Sequence, residues 1–234
     1  WDKRVVEQLG SIEAGGKGNV QFTFKPKALS RSSAALNPSA ELSISFAGTR
    51  TAEGFSQQNI SSVIARTVKF ATQISFSADG YYSIGPIKNS GPIPPKLGSE
   101  TTYTITWALV NPSNNVTSAT VEAVLPVYVV WKGVTSPVNE SVTYNESTHT
   151  VTWDLQYLKS GVGVGGTAPR TASFQVGINP SLSQVGEAPT LVLQSLFKGT
   201  DTFTEKTVTT EKPAITTRIV KDPAFRSGSE QVIQ

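Results

Sequence analysis

The stretch TTYTITWALVN, residues 101–111, alternates apolar and hydroxyl side chains along almost its whole length. Its apolar positions are Tyr103, Ile105, Trp107 and Leu109. Because successive side chains of a β-strand point to opposite faces, this alternation predicts a strand whose apolar face covers a core while its threonine face meets solvent. The following NPSNN, residues 111–115, predicts a turn, since proline fixes φ and asparagine tolerates left-handed conformations.

Short segments with β-type patterns continue along the chain and are separated by turn signals. They cover residues 116–125, 128–134, 141–145, 149–155, 171–178, 189–197 and 202–209. Helical spacing is weak throughout, and residues 63–70 form the one stretch that is compatible with either helix or strand. Many short strands with turns every ~8–12 residues indicate an immunoglobulin-like (Ig-like) β-sandwich, so the predicted fold class is all-β.

An internal repeat organises the chain. At a shift of about 152 residues, aromatic residues fall on aromatic residues and glycines on glycines over roughly 70 positions. The matching pairs, some with one residue of slippage, are Trp1 with Trp153, Phe22 with Phe174, Phe46 with Phe197, Gly48 with Gly199 and Val68 with Val220. Residues 1–70 therefore correspond to the second half of the unit that follows them.

The repeat predicts Ig-like sandwiches in tandem, of which the second is complete and the first retains only its C-terminal half. The predicted boundaries are 1–75 for the half repeat, 76–95 for a Pro-rich inter-repeat junction, 96–222 for the complete repeat and 223–234 for a linker or tail. A half sandwich would expose strand edges and part of its core. Its missing strands either belong to a longer array of which this sequence is a piece, or come from another copy by strand complementation.

Composition narrows the function classes. The chain has no cysteine, so disulfides, zinc-thiolate sites and thiol nucleophiles are excluded. Charged residues make up only 16% and the net charge is +3. The basic excess lies in residues 1–69, which we interpret as a solvated face, and nucleic-acid binding is not expected. No apolar run reaches about 18 residues, so the sequence predicts no transmembrane segment.

A series of motifs in residues 92–222 resembles one family. In order they are PPKLG (94–98), TYTITW (102–107), LP (125–126), TVTW (150–153), FQV (174–176) and GTDTF (199–203). This order resembles the bacterial Ig-like conserved repeat called domain of unknown function eleven, which occurs in tandem on large cell-surface proteins. The resemblance implies an extracellular sandwich in a stalk, sheath or adhesin, and it carries over no catalytic residues.

Residues that could carry chemistry are few and scattered. His149 is the sole histidine, and we interpret it as a strand-end residue at the rim of the core rather than a triad member. The run 161–166 matches a dinucleotide-binding glycine pattern, but a predicted strand follows it where that pattern requires a helix. The strand-borne acids Glu122, Asp154, Asp201 and Glu205 form no glycosidase-like cluster. We therefore predict no catalytic, cofactor-binding or metal site, leaving open a single calcium ion near Asp79.

Aromatic side chains offer one further kind of site. Glycan binding would require at least two exposed aromatics in one cleft, and the five candidates are Tyr81, Tyr82, Tyr128, Trp131 and Tyr157. Trp107 and Trp153 are instead predicted to pack in the core.

The sequence as a whole predicts a non-enzymatic structural or adhesive module of an extracellular bacterial surface protein, such as a stalk, sheath or fibre. Its partners would be adjacent repeats or identical subunits, with cell-surface glycan as a further candidate, and no cofactor is expected. Two alternatives stay open at this point. One is a glycan- or ligand-binding sandwich, and the other is a subunit of a self-assembling filament completed by strand exchange with a neighbouring chain.

Overall fold

The computed structural model describes residues 1–25, 36–51, 54 and 56–234, so the predicted first unit is described except at 26–35, 52, 53 and 55. Two short 3-10 helices occupy Glu7–Leu9 and Leu182–Gln184. The strands are β1 (Ser39–Arg50), β2 (Gln58–Lys69), β3 (Ser75–Tyr81), β4 (Thr101–Val110), β5 (Val116–Val124), β6 (Val129–Ser136), β7 (Ser141–Asn145), β8 (Thr150–Leu158), β9 (Arg170–Ile178), β10 (Thr190–Val192), β11 (Ser195–Asp201), β12 (Thr207–Lys212) and β13 (Ile215–Thr216). Within the described residues, no helix is long and apolar enough to cross a bilayer.

Two antiparallel sheets form a β-sandwich. The five-stranded sheet has the order β12-β11-β5-β8-β7, and the four-stranded sheet has the order β3-β4-β9-β6. The strands β3, β4 and β9 take the places of strands A, B and E of an immunoglobulin domain, and β5, β11 and β12 take those of C, F and G. The predicted all-β, Ig-like sandwich is therefore confirmed.

The core lies between the inner faces of the two sheets. The apolar side chains of β4, predicted from the alternation, are all buried there, and Trp107 and Trp153 are fully buried as predicted. The Trp107 ring packs edge-on against Phe174 with ring centroids 4.9 Å apart, and its indole N–H donates to Ser195 Oγ at 3.2 Å. Aromatic burial of this kind dominates the packing of a small sandwich.

The predicted junction 76–95 differs in the structure, because it belongs to the sandwich. Its first part is β3, which pairs with β4 along seven residues. Its second part folds back over the outer face of the four-stranded sheet, where Thr104 Oγ1 donates to the Ile87 carbonyl at 3.1 Å. This cover explains why Thr102 and Thr104 are buried, although alternation predicts them on a solvent face.

The predicted tail 223–234 also packs on the sandwich. Phe225 contacts the core cluster, and Val232 is buried. The Ile233 N–H donates to the Pro95 carbonyl at 2.8 Å, and Ile233 forms a parallel bridge with Lys96. The physical reason is that these apolar side chains and the backbone groups beside them find partners on the sandwich, so the segment is not a linker.

The N-terminal residues 1–25 contain no strand. Trp1, Phe22 and Phe24 are exposed, and they contact one another, with centroids 5.7 Å apart for Trp1 and Phe22 and 6.3 Å apart for Phe22 and Phe24. The residues that match Trp1 and Phe22 in the repeat, Trp153 and Phe174, are instead fully buried strand residues. The two members of each pair thus lie in different local surroundings.

Candidate interaction surface

The predicted glycan-contact aromatics fall into three groups, with Tyr81 and Tyr82 at β3, Tyr128 and Trp131 at β6, and Tyr157 on β8. Tyr82 faces inward beside Tyr103, at the β3 margin of the four-stranded sheet, whereas Trp131 lies on β6 at the opposite margin and stacks on Tyr144 with centroids 5.5 Å apart. The Tyr128 hydroxyl donates to the Thr190 carbonyl at 3.0 Å, and Tyr157 is exposed on β8.

Aromatic contacts among the described residues join none of these five to another. Tyr81 is half-buried at the end of β3, and burial, followed by the charge of Asp79, raises the pKa of its hydroxyl. A small cleft at Tyr82 is completed by Ile93, Ile219 and Phe225 and holds no second member of the set. Glycan contact at these residues stays a prediction.

The remaining sequence candidates have structural partners. The His149 Nδ1 atom, in the turn just before β8, lies 2.9 Å from the hydroxyl of Tyr144 on β7. The glycine run 161–166 forms turns and is followed by β9. Asp79 forms an ion pair with Lys221 at 2.8 Å. No group of three or more potential metal ligands occurs within the described part of the chain.

The most unusual surface of the molecule is the long hairpin formed by β1 and β2, here called the ribbon. Its twelve residue pairs run from Ser39 opposite Lys69 to Arg50 opposite Gln58. At ~3.4 Å per residue the ribbon is roughly 40 Å long. Among the described residues it pairs with no third strand, so the outer edges of both strands are open.

The two faces of the ribbon differ in chemistry. Directly opposed residues of an antiparallel pair share a face, so the register assigns every side chain of the ribbon to one face or the other. One face, here called the apolar face, carries Ala40, Leu42, Ile44, Phe46, Ile60, Ile64 and Val68, together with Gly48, Ser62, Arg66 and, at the tip, Arg50 and Gln58. The other face carries mainly serine and threonine. Ala40, Leu42 and Val68 are half-buried near the sandwich, and the apolar face is exposed beyond them.

A buried polar cluster holds the root of the ribbon against the sandwich. We call it the root clamp, and its members are Thr72, Asn111, Asn114 and Asp201. The Thr72 N–H donates to Asp201 Oδ2 at 2.7 Å, and the Thr72 hydroxyl donates to Asn111 Oδ1 at 2.6 Å. The Asn114 amide donates to Asp201 Oδ2 and to the Phe70 carbonyl, both at 2.8 Å. The Asn37 N–H donates to Asn114 Oδ1 at 3.1 Å, so both strands of the ribbon are tied at their sandwich end.

Asp201 is the acceptor at the centre of the clamp. Besides Thr72 and Asn114, it accepts the N–H groups of Phe203 and Thr204, each at 2.9 Å on Oδ1. Burial disfavours its charged form, but the N–H donors of Thr72 and Thr204 and the Asn114 amide outweigh burial, so its pKa lies below the ordinary value. A carboxylate that accepts this many hydrogen bonds holds the surrounding loops together and is not available as a catalytic acid.

Sequence reasoning missed both the ribbon surface and the clamp. The first strand of the ribbon had a readable signal, since residues 39–46 alternate in polarity. The second did not, because Val63, Ile64 and Ala65 are consecutive, and 63–70 was ambiguous between helix and strand. The clamp had none, because Thr72, Asn114 and Asp201 are far apart in the chain.

No known family matches the sequence, and no curated protein does. Solved structures match parts of the chain. The GH20 exo-β-N-acetylglucosaminidase of Vibrio harveyi is 11% identical with a TM-score of 0.35, over 60% of this chain and 18% of that chain. A variant of BcpA, the major pilin subunit of Bacillus cereus, is 12% identical with a TM-score of 0.37, over 64% and 44%. The major pilin SpaD of Corynebacterium diphtheriae is 12% identical with a TM-score of 0.35, over 60% and 34%.

The chain thus spans less than half the length of each of these three proteins. Scores this low do not establish a common fold, and the sandwich assignment rests on the order of the strands described above.

Proposed function

We propose that this chain is a non-catalytic structural module of an extracellular bacterial surface protein, built from Ig-like sandwich repeats in tandem. In this proposal the ribbon is the closing hairpin of one repeat, and the sandwich of residues 71–222 is the next repeat. The observation that carries the proposal is the correspondence of β1 to β11, which is one strand of the hairpin that closes the sandwich.

The strand boundaries support this correspondence. Thr190, the first residue of β10, stands 151 residues after Ser39, the first residue of β1. Asp201, the last residue of β11, stands 151 residues after Arg50, the last residue of β1. Ser39 and Arg50 belong to one strand, whereas Thr190 belongs to β10, a separate strand that pairs with β13. The agreement that supports the match is therefore the one at the ends of β1 and β11.

The faces correspond as well. In β11, burial alternates, and Phe197 and Gly199 point into the core. Their matches in the ribbon, Phe46 and Gly48, lie on the apolar face. Phe197 is fully buried, whereas Phe46 is 54% exposed. The matching apolar residues are therefore buried in the core in one hairpin and exposed in the other.

Strand pairing explains why only part of the first repeat forms. The ribbon pairs with itself, so it needs no other segment. The stretch 18–25, in contrast, matches β9, which is held between β4 and β6. No counterparts of β4 and β6 for this unit occur among the described residues, so 18–25 has no ladder to join and its aromatic residues stay exposed.

The module would act by keeping neighbouring repeats in a fixed spatial arrangement. The root clamp and the fully buried core hold each repeat in a fixed orientation to its neighbour, which is what a stalk, sheath or fibre requires. Hydroxyl-rich exposed faces and the low charged fraction fit a surface exposed outside a cell. Of the described carboxylates, Asp79, Glu100, Glu140 and Asp201 are all engaged in ion pairs or loop fastening, which favours a structural role over catalysis.

The repeat proposal predicts the outcome of restoring the missing half. Since Trp1 matches Trp153, residues 71–152 placed directly before Trp1 should complete the first sandwich. Backbone amides in 18–25 and 39–50 should then exchange with deuterium at least ~tenfold more slowly than in the original chain, because they join ladders and a core. Hydrogen exchange read by mass spectrometry measures this change.

The matched control is the same fusion with Trp107→Ser and Val121→Asp in the added segment only. These changes remove core side chains from the added half, so protection of 18–25 and 39–50 should fall back to that of the original chain. Unchanged exchange in the unaltered fusion would contradict the tandem-repeat assignment.

A further inference from the structure

The outer edge of β1 carries backbone donors and acceptors that pair with no strand in the described chain. A two-stranded ribbon with an uncovered apolar face is marginally stable in water, and a third strand adds both ladder hydrogen bonds and apolar contact. We propose that this edge is a strand-addition site for a polypeptide segment with the pattern of β5, coming from outside these 234 residues. The inference rests on the proposed function and names the partner that the ribbon would take.

The second hairpin supplies the template. There β11 lies between β12 and β5, and it pairs antiparallel with β5 so that Phe197 stands opposite Val121. If β1 matches β11, the place of β5 is the outer edge of β1, because the inner edge of β1 is already paired with β2. The incoming strand would run antiparallel to β1, with a small β-branched residue opposite Phe46 and a small residue opposite Ile44.

The outer edge of β2 is not the expected site. In the template, β12 has one neighbour, β11, and ends the five-stranded sheet. The preference for β1 over β2 is therefore a specific feature of the proposal.

The side chains of β5 define what the site would accept. Val116, Ala119, Val121 and Ala123 are buried, while Ser118, Glu122 and Val124 are exposed. The ribbon requires such a two-faced strand, because its own apolar face must continue across the incoming one. The charged residue of β5, Glu122, would stand opposite Ser45, on the hydroxyl-rich face of the ribbon.

A second copy of the folded chain cannot supply its own β5 to this site. In each copy β5 is held between β11 and β8 in the centre of the five-stranded sheet, and its apolar side chains form part of the core. Releasing it would open the sandwich. The segment proposed here is therefore one whose β5-type strand is not yet enclosed, as in the opening half of a repeat.

The test uses the full chain and a fluorescein-labelled synthetic peptide, VTSATVEAVL, with the sequence of residues 116–125. We expect saturable binding by fluorescence anisotropy. Hydrogen exchange should show new protection in 39–50 and none in 195–201, because β11 already holds its partner. A peptide with lysine at the position of Val121 should bind at least ~tenfold more weakly, since a charge would face the apolar side.

Two chain variants make a matched pair. Phe46→Ser removes an apolar side chain from the apolar face and should weaken binding about tenfold or more, as expected for loss of an aromatic contact. Val63→Ser removes one from the opposite face of the ribbon and should change binding less than ~twofold. Both side chains are exposed in the free chain, so neither change should unfold the sandwich.

Several results would overturn the inference. They are absence of binding, equal effects of Phe46→Ser and Val63→Ser, protection confined to 58–69, and ribbon-dependent dimerisation that excludes the peptide. None of these results would contradict the tandem-repeat proposal. That proposal is tested by the fusion that supplies residues 71–152, which reports on the whole half repeat and not on one added strand.

Discussion

Trp107→Ala is expected to lower the free energy of unfolding by about 3–5 kcal/mol, the range for truncating a large buried aromatic side chain. Trp107 is fully buried on β4, packs against Phe174, and donates its indole N–H to Ser195. Alanine would leave a cavity between the two sheets and a buried hydroxyl without its partner. Urea unfolding followed by far-UV circular dichroism measures the change.

Trp1→Ala is the matched control, because it removes the same side chain from a position that is 61% exposed. Its effect should stay within about 0.5 kcal/mol, as for surface substitutions away from packed groups. Equal effects of the two substitutions would contradict the description of the core.

Asp201→Ala is expected to lower the free energy of unfolding by about 2–5 kcal/mol, since an unsatisfied buried polar group costs about 1–3 kcal/mol and several would arise together. The N–H groups of Thr72, Phe203 and Thr204 and the Asn114 amide would lose their shared acceptor. Asp154→Ala is the control, because the Asp154 side chain accepts one local N–H, from Gln156. We expect the control to cost less than about 1 kcal/mol.

The contribution of Asp201 should also depend on pH. Its pKa is lowered in the folded chain because N–H donors outweigh the effect of burial, so the unfolded chain binds this proton more readily. The stabilisation is therefore complete above the unfolded-state pKa, about 3.9, and is lost as pH falls through the lower folded-state pKa. The difference in unfolding free energy between the wild type and Asp201→Ala should shrink between pH 7 and pH ~2. A constant difference would contradict this account.

Alternation along the chain was sufficient to locate most strands of the sandwich. The stretch 101–111 predicted β4 within one residue, and 141–145 predicted β7 at both ends. These strands have one face in the core and one outside, so apolar and polar side chains alternate along their sequences. The burial of Trp107 and Trp153 followed from the same pattern.

The strand β3 could not be predicted, because its sequence, SFSADGY, contains Asp79 and Gly80, which are unfavourable in strands. Pairing with β4 overrides this preference. The glycine is required by packing, since a Cβ atom at Gly80 would lie 2.9 Å from a methyl carbon of Ile219. That contact joins residues far apart in the chain, so no local sequence pattern predicts it.

The boundary of β12 was displaced for a related reason. The pattern favoured a strand over 202–209, but the structure places a turn at 202–206 and the strand at Thr207–Lys212. Asp201 holds that turn through the N–H groups of Phe203 and Thr204. The sequence marked Asp201 only as an isolated acid. Its role depends on Thr72 and Asn114, which folding alone brings beside it.

The root clamp has a consequence for the order in which the molecule assembles. The ribbon joins chain neighbours, whereas the bond from Thr72 to Asp201 closes a loop of 129 residues. Contacts between near neighbours form sooner than distant ones, and a ribosome delivers residues 39–69 before either 111–114 or 201. The ribbon pairing, although marginally stable alone, should thus begin to form before the sandwich that fixes its direction. The direction of the ribbon would therefore be set last, when the strand that carries Asp201 joins its sheet.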